Sequence, residues 1–348
     1  MSTPDPEPIL EPELPIVDPH HHLWDRTRLV ASLPAVRHPF ERIVRTAPRY
    51  LLDELLADLG RGHDVRATVY VECGSMYRAD GPVELRPVAE TEFVNGVAAM
   101  SASGTYGPVR ACAGIVGHAD LTLGEHVSPV LEAHIAAGGG RFRGVRHSAS
   151  YDADPAVLGP LVGRPAGLLG SAAFREGFAR LAPLGLSFDA WLLEPQLDEL
   201  IALARAFPDT TIVLDHVGTP LGIGAYAGRR EERFDIWRTR IRELATCPGV
   251  VVKLGGLAMP FAGFDTTPAE SEPLSARLAT LWAPYIETCI EAFGPERCMF
   301  ESNFPVDLFT CSYDVLWNAL KRTASGCSAD EKAALFSGTA SRVYRLDL

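Results

Sequence analysis

The chain has 348 residues, 47% of them hydrophobic, and a formal charge of -12. That is enough for one large domain or two ordinary ones with a sizeable core. The acidic balance argues against general binding of nucleic acid or anionic membrane, which need a basic surface. Apolar stretches are strand-sized, short of the roughly 20 residues of a spanning helix.

Residues 1–14 (MSTPDPEPILEPEL) are acidic and Pro-rich. They lack the basic and apolar segments of a signal peptide and are read as an N-terminal arm or strap. From residue 15 to 348, β-branched runs alternate with amphipathic runs. LPIVD, ending near Asp18, is the first strand, and Tyr50 to Leu59 the first helix. VRATVYVE, ending at Glu72, is the second strand, with a helix around Glu84–Met100. VRACAGIVG is the third, with a helix around Pro129–Ala137, and FRGVRHS the fourth, with a helix near Ser171–Leu181. LSFDAWL precedes a helix from Glu194 to Ala206, and TIVLDH one around Glu231–Ala245. GVVVKLGG precedes a helix around Ala276–Phe293. CMFESN precedes helices near Tyr313–Thr323 and Ala329–Phe336. Eight strands, each followed by a helix, predict an α/β fold of the (β/α)8 TIM-barrel type. An open doubly wound sheet is the rival, but the G-x-G-x-x-G turn of its dinucleotide-binding version is missing. Long loops follow strand 1 (Leu23–Pro48), strand 6 (Val217–Arg230) and strand 7 (Ala258–Leu274), on the face where barrels place active sites. The seven cysteines are scattered and odd in number, without C-x-x-C, so reduced thiols in a cytoplasmic protein are expected.

The chemistry-bearing residues cluster at strand ends. In IVDPHHHLWD, alternation places Asp18, His20 and His22 on one face and His21 on the other. Two imidazoles so spaced can grip one divalent ion. A chance histidine cluster is the plain alternative. Asp215 and His216 end strand 6, as a ligand and its orienting partner or as a helix cap. Glu301 and Asn303 share a face of strand 8. Arg146 and His147 end strand 4, and alternation lets only one face the pocket. Arg146 is favoured, as a bidentate carboxylate clamp, against a surface ion pair. Lys253 lies inside a strand, where a buried lysine needs a partner. Its plain reading is an interior salt bridge with Glu72 or Glu301. Glu72 ends strand 2. Trp24 and Trp191 follow strands 1 and 5 and can wall a pocket or simply pack. His118 is a weaker candidate.

Read in order, D-x-H-x-H-L-W, G-V-R-H, L-D-H-x-G-x-P, K-L-x-G-L and M-F-x-S-N-F-P-V resemble the amidohydrolase-related TIM-barrel hydrolases. These include sugar-acid lactonases and 2-pyrone-4,6-dicarboxylate lactonase. The resemblance runs from about Leu14 to Leu348. It implies that His20 and His22 match the family's strand-1 pair, His216 its later histidine and Arg146 its strand-4 arginine. Asn303 stands where members often carry an Asp that ligates metal or activates water. Asn cannot act as a general base. Glu301 lies on the same face, about 6–7 Å deeper. No bridging lysine of the binuclear members is evident, so a binuclear centre is not expected.

The resemblance therefore implies a hydrolase, foremost a lactonase opening a small carboxylate-bearing lactone with activated water. His20, His22 and His216 would hold one divalent ion (zinc or manganese) or polarise the carbonyl directly as neutral donors. Glu301 or Asp215 would take the water proton. Arg146, His147, Lys253, Glu72, Trp24 and Trp191 would contact substrate. A metal-dependent decarboxylase of small acids, or a catalytically weak binding protein, remains open. The expected partner is a small molecule, not nucleic acid or membrane, and a homo-oligomer is compatible with the sequence.

Overall fold

β-Branched runs such as VRATVYV and VVVKL are buried almost throughout, as strands must be when covered on both faces. In the computed structural model, which describes residues 7–33, 38–159 and 164–348, eight such runs form one parallel sheet in chain order. They are β1 (Ile16–His21), β2 (Val65–Val71), β3 (Arg110–Gly117), β4 (Phe142–Arg146), β5 (Ser187–Ala190), β6 (Ile212–Leu214), β7 (Val250–Leu254) and β8 (Cys298–Phe300). The seam between β8 and β1 closes just beyond β8. There the Asn303 N–H donates to the His20 carbonyl at 2.9 Å, and the His22 N–H to the Phe304 carbonyl at 2.7 Å. The result is a (β/α)8 barrel.

The helices of the outer ring are α1 (Leu52–Leu59), α2 (Val88–Ala102), α3 (Ser128–Ala137), α4 (Ala172–Phe178), α5 (Leu197–Ala206), α6 (Arg230–Leu244), α7 (Leu274–Phe293) and α8 (Tyr313–Thr323). In α1, the Glu54 carboxylate accepts the Leu51 N–H at 2.9 Å, satisfying a backbone donor at the helix start. Leu52, Leu55 and Leu59 are buried, each worth about 1.5–3 kcal/mol relative to exposure. Gly60 follows the last turn.

Side-chain alternation sorts the core into two layers. Val17, Val69, Val71, Val116, Val213, Val251 and Met299 pack together inside the barrel, joined by Tyr344 and Ala340 from the C-terminal segment. Ile16, Tyr70, Ile115, Val145, Phe188, Leu214 and Val252 belong to the larger outer cluster shared with the helices.

The expected strands are all present, but their ends differ. β1 does not stop near Asp18; it runs to His21, with a register irregularity between Asp18 and His21. Pro19, which has no N–H to give the ladder, lies inside that irregularity. Asp18 therefore does not share a face with His20. It turns outward, accepting bonds from Tyr313 Oη of α8 at 3.0 Å and the Ser302 N–H at 3.0 Å. β6 and β8 end before Asp215 and Glu301, so both residues sit in irregular backbone. The 3-10 turn Glu194–Gln196 precedes α5, which begins later than expected.

Residues 7–11 run along α7 and α8. Glu7 accepts the Ser275 N–H, Asn318 donates to the Pro8 carbonyl, and Lys321 donates to the Leu10 and Glu11 carbonyls. Residues 1–6 of the arm lie outside the described residues. The loop after β1 carries two short helices (Thr27–Ser32 and Pro39–Thr46) and a small ribbon pairing Trp24–Asp25 with Arg49–Tyr50. Its residues 34–37 are likewise outside. All seven cysteines are unpaired. Among the described residues, no helix is long and apolar enough to cross a membrane.

Candidate active site

Glu301 is the centre of the barrel floor. Its Oε1 accepts the His216 Nδ1–H at 2.7 Å and the His216 backbone N–H at 3.1 Å. Its Oε2 lies 2.7 Å from His20 Nδ1 but receives no aligned hydrogen bond. All three side chains are buried. His216 reaches inward because its backbone is left-handed (φ 56°), as is that of Val217 (φ 48°). Two consecutive residues, Asp215 and His216, thus both face the site, which strand alternation would forbid. Gly256 makes room for the ring. A Cβ there would stand 2.4 Å from His216 Cγ and Nδ1.

Beneath this floor lies a buried ionic group. Lys253 Nζ is 2.7 Å from Asp189, 3.0 Å from Asp215 and 3.2 Å from His20 Nδ1. Burial disfavours its charge, but Asp189 and Asp215 outweigh that and hold its pKa above the usual lysine value. Burial likewise opposes ionisation of Asp215, yet Lys253, His216 and Arg146 bring its pKa below the ordinary carboxylate range. Asp189 stays raised by burial despite Lys253. The Tyr344 hydroxyl donates to Asp189 at 2.7 Å.

Above the floor, a cavity of 660 Å³ is lined by His22, Trp24, Glu72, His118, Arg146, Trp191, His216 and Asn303, among others. His22 Nδ1 is 2.7 Å from the Val71 carbonyl. A carbonyl only accepts, so the proton sits on Nδ1 and Nε2 keeps its lone pair. Burial pushes the pKa of His20 and His22 well below the ordinary value, with Lys253 and Arg146 respectively adding to it. Both are neutral at physiological pH. Arg146 donates from Nε to Glu72 at 2.8 Å and from Nη1 to Asp215 at 3.4 Å, and its Nη1 lies 3.3 Å from His20 Nε2. Burial works against that charge, but Glu72 and Asp215 keep it firmly cationic.

The amidohydrolase family profile matches residues 17–346. This chain belongs to the amidohydrolase family. An uncharacterised protein of Sinorhizobium fredii is 34% identical over 343 residues, covering 96% of this chain and 99% of the relative. An L-fucono-1,5-lactonase of Burkholderia multivorans is 33% identical over 235 residues, covering 67% of this chain and 72% of that enzyme. A solved amidohydrolase from Burkholderia multivorans with bound zinc aligns with a TM-score of 0.71 at 27% identity, covering 95% of this chain and 99% of that one.

Within this amidohydrolase barrel, the structure brings His20, Asp215, His216, Glu301, Arg146 and Glu72 into one network. His22, Trp24, Trp191 and Asn303 line the cavity above it. Two expected contacts lie elsewhere. His147 points away from the cavity, against the Phe174 ring at 5.6 Å, with Nδ1 accepting the Leu121 N–H. Alternation along β4 leaves only Arg146 inward. Lys253 is not on the cavity wall but below it, and its partners are Asp189 and Asp215 rather than Glu72 or Glu301 as carboxylate pairs. Asn303 (φ 55°) donates from Nδ2 to Asp307 at 2.9 Å. Burial raises the Asp307 pKa well above the usual range, with Glu301 adding to it.

Sequence reasoning missed Asp189, Asp307 and the cavity residues Arg26 and Arg164. An acid in the middle of the apolar run LSFDAWL was the available signal for Asp189, since the same reasoning applied to Lys253 requires a partner.

The donor set of this amidohydrolase suits a divalent cation. Among the described residues, His20, His216 and Glu301 offer ligand atoms that all lie within 4.8 Å of one another. His22 is not in that group, although it was expected to be. The unsatisfied Glu301 Oε2 is a buried acceptor in need of a positive partner. Nitrogen and carboxylate donors of this kind suit zinc or manganese.

Proposed function

We propose that the protein is a lactonase that opens a small, carboxylate-bearing lactone. The observation that carries this reading is the Glu301 carboxylate shared between His20 and His216 at the base of a 660 Å³ cavity. The 33% identity to an L-fucono-1,5-lactonase supports the reaction class.

The His216–Glu301 pair works as a proton acceptor. Glu301 fixes the Nδ1–H tautomer, leaving His216 Nε2 free on the cavity side to take a proton from the attacking water. Glu301 then stabilises the imidazolium that forms, as a carboxylate does in a hydrolytic dyad. Arg146, held by Glu72 and Asp215, is a fixed cation beside the reacting carbonyl and lowers the energy of the oxyanion. Trp24 and Trp191 supply apolar walls. The base role of His216 belongs to the site without metal: a single zinc or manganese ion held by His20, His216 and Glu301 would take the His216 lone pair for itself. When bound, it would supply Lewis-acid polarisation of the ester carbonyl.

The test is a panel of five- and six-membered lactones followed by proton release, with His216→Asn beside the native protein. Native turnover, and a loss of about hundredfold or more in the variant with unchanged circular dichroism, is expected. No opening of any lactone, with carbon dioxide released from aromatic acids instead, would overturn the reading in favour of a decarboxylase.

A further inference from the structure

Among the described residues, the cavity wall holds two guanidinium groups that no carboxylate balances. Arg164, on the loop after β4, lines the cavity. Its Nε is buried without a hydrogen-bond partner, and its side chain enters no ion pair among the described residues. Arg26, on the loop after β1, lines the same cavity. It stacks 4.4 Å over the Trp24 ring and donates to the Cys73 carbonyl at 2.8 Å, contacts that fix its position without neutralising it. It too has no carboxylate partner among the described residues.

Arg146 differs, because Glu72 and Asp215 already answer its charge. Of the carboxylates on the wall, Glu72 is bound to Arg146 and Glu41 is not free. An arginine cannot shed its proton. A buried donor without an acceptor is destabilising unless a ligand provides one. The planar fork of donors matches a carboxylate.

We infer that Arg164, supported by Arg26, forms an anion subsite on the cavity wall that takes a substrate carboxylate remote from the bond being broken. The carboxylate does not sit on Arg146. Placing an ester over the His216–Glu301 floor rests on the function proposed above; the anion subsite does not.

The two are therefore tested separately. Tetrahydropyran-4-carboxylate carries the charge but no ester, and its carboxamide is the neutral control. Calorimetry should find the native protein binding the carboxylate at least tenfold more tightly than the amide. Arg164→Gln should abolish that preference, and Arg26→Gln should reduce it. In turnover, Arg164→Gln should raise KM for anionic lactones at least tenfold, leaving kcat and neutral lactones within about twofold. Equal binding of carboxylate and amide by the native protein overturns the subsite. So does a preference that survives in the double variant. If the preference exists and Arg164→Gln removes it, yet no lactone is opened, the subsite stands and the lactonase reading fails.

Discussion

Glu301 shows how much one carboxylate decides. Both of its oxygens face imidazole nitrogens at 2.7 Å, so its isostere cannot replace it. In Glu301→Gln, the amide oxygen can still accept from His216, but the NH2 group then meets His20 without a charge to offer. The expected result is a loss of kcat of about hundredfold or more, with no divalent ion retained by elemental analysis and an unchanged circular dichroism spectrum. Retained activity would remove Glu301 from the site. Asn303 has the opposite logic. Asn303→Asp puts a carboxylate beside Asp307, whose raised pKa lets it remain protonated and donate to the newcomer. The variant gains a negative charge on the cavity wall. Calorimetric zinc affinity should rise at least tenfold over the native protein, and equal affinities would mean that position 303 does not face the ion.

At the scale of elements, strand identity was legible because buried parallel strands must be β-branched runs, and VVVKL or VRATVYV admit no other reading. The inward set was partly legible: alternation let only one of Arg146 and His147 face the pocket and favoured Arg146, yet His147 also stood among the expected substrate contacts, and it points away. Alternation failed where the backbone leaves the strand. Asp18 follows inward Val17 and so faces outward, and Pro19 breaks the phase of β1 so that His20 faces inward, while left-handed His216 and Asn303 re-aim side chains beyond short strands. Such turns depend on what stands opposite. Gly256 is the case that can be tested. Its φ is +66°, and an added Cβ would meet the His216 ring. In Gly256→Ala, strain and displacement of the ring should cost about 1–3 kcal/mol of stability. Turnover should drop further than stability alone explains. A urea midpoint and kcat measured on one sample separate the two, and full activity would mean that His216 tolerates displacement. Arg164 was not legible at all, because a loop has no period from which to infer a direction.

For the whole molecule, the buried histidines link stability to pH. His134 is the cleanest example because it lies on α3 and does not line the cavity. Its ring stacks on Phe142 with centroids 5.0 Å apart, bonds to Thr91 through Nδ1 at 2.8 Å, and donates from Nε2 to the His118 carbonyl at 2.8 Å. Burial lowers its pKa from 6.5 to about 4. The unfolded chain therefore binds a proton below pH 6.5 that the folded protein refuses until about pH 4. Folding stability falls as the pH drops through that window and levels below it. Between pH 7 and pH 5 this one histidine should cost about 2 kcal/mol. Raised carboxylates such as Asp18 and Glu90, at about 6 and about 7, act in the opposite sense, because the folded state holds their protons as the pH falls. The bulk pH profile mixes the two, so a difference measurement isolates the histidine. His134→Gln keeps a donor for the carbonyl but cannot titrate. Its unfolding free energy should change less between pH 7 and pH 5 than that of the native protein, by about 2 kcal/mol in urea titrations. Parallel losses in both proteins would mean that His134 carries its proton in the folded state.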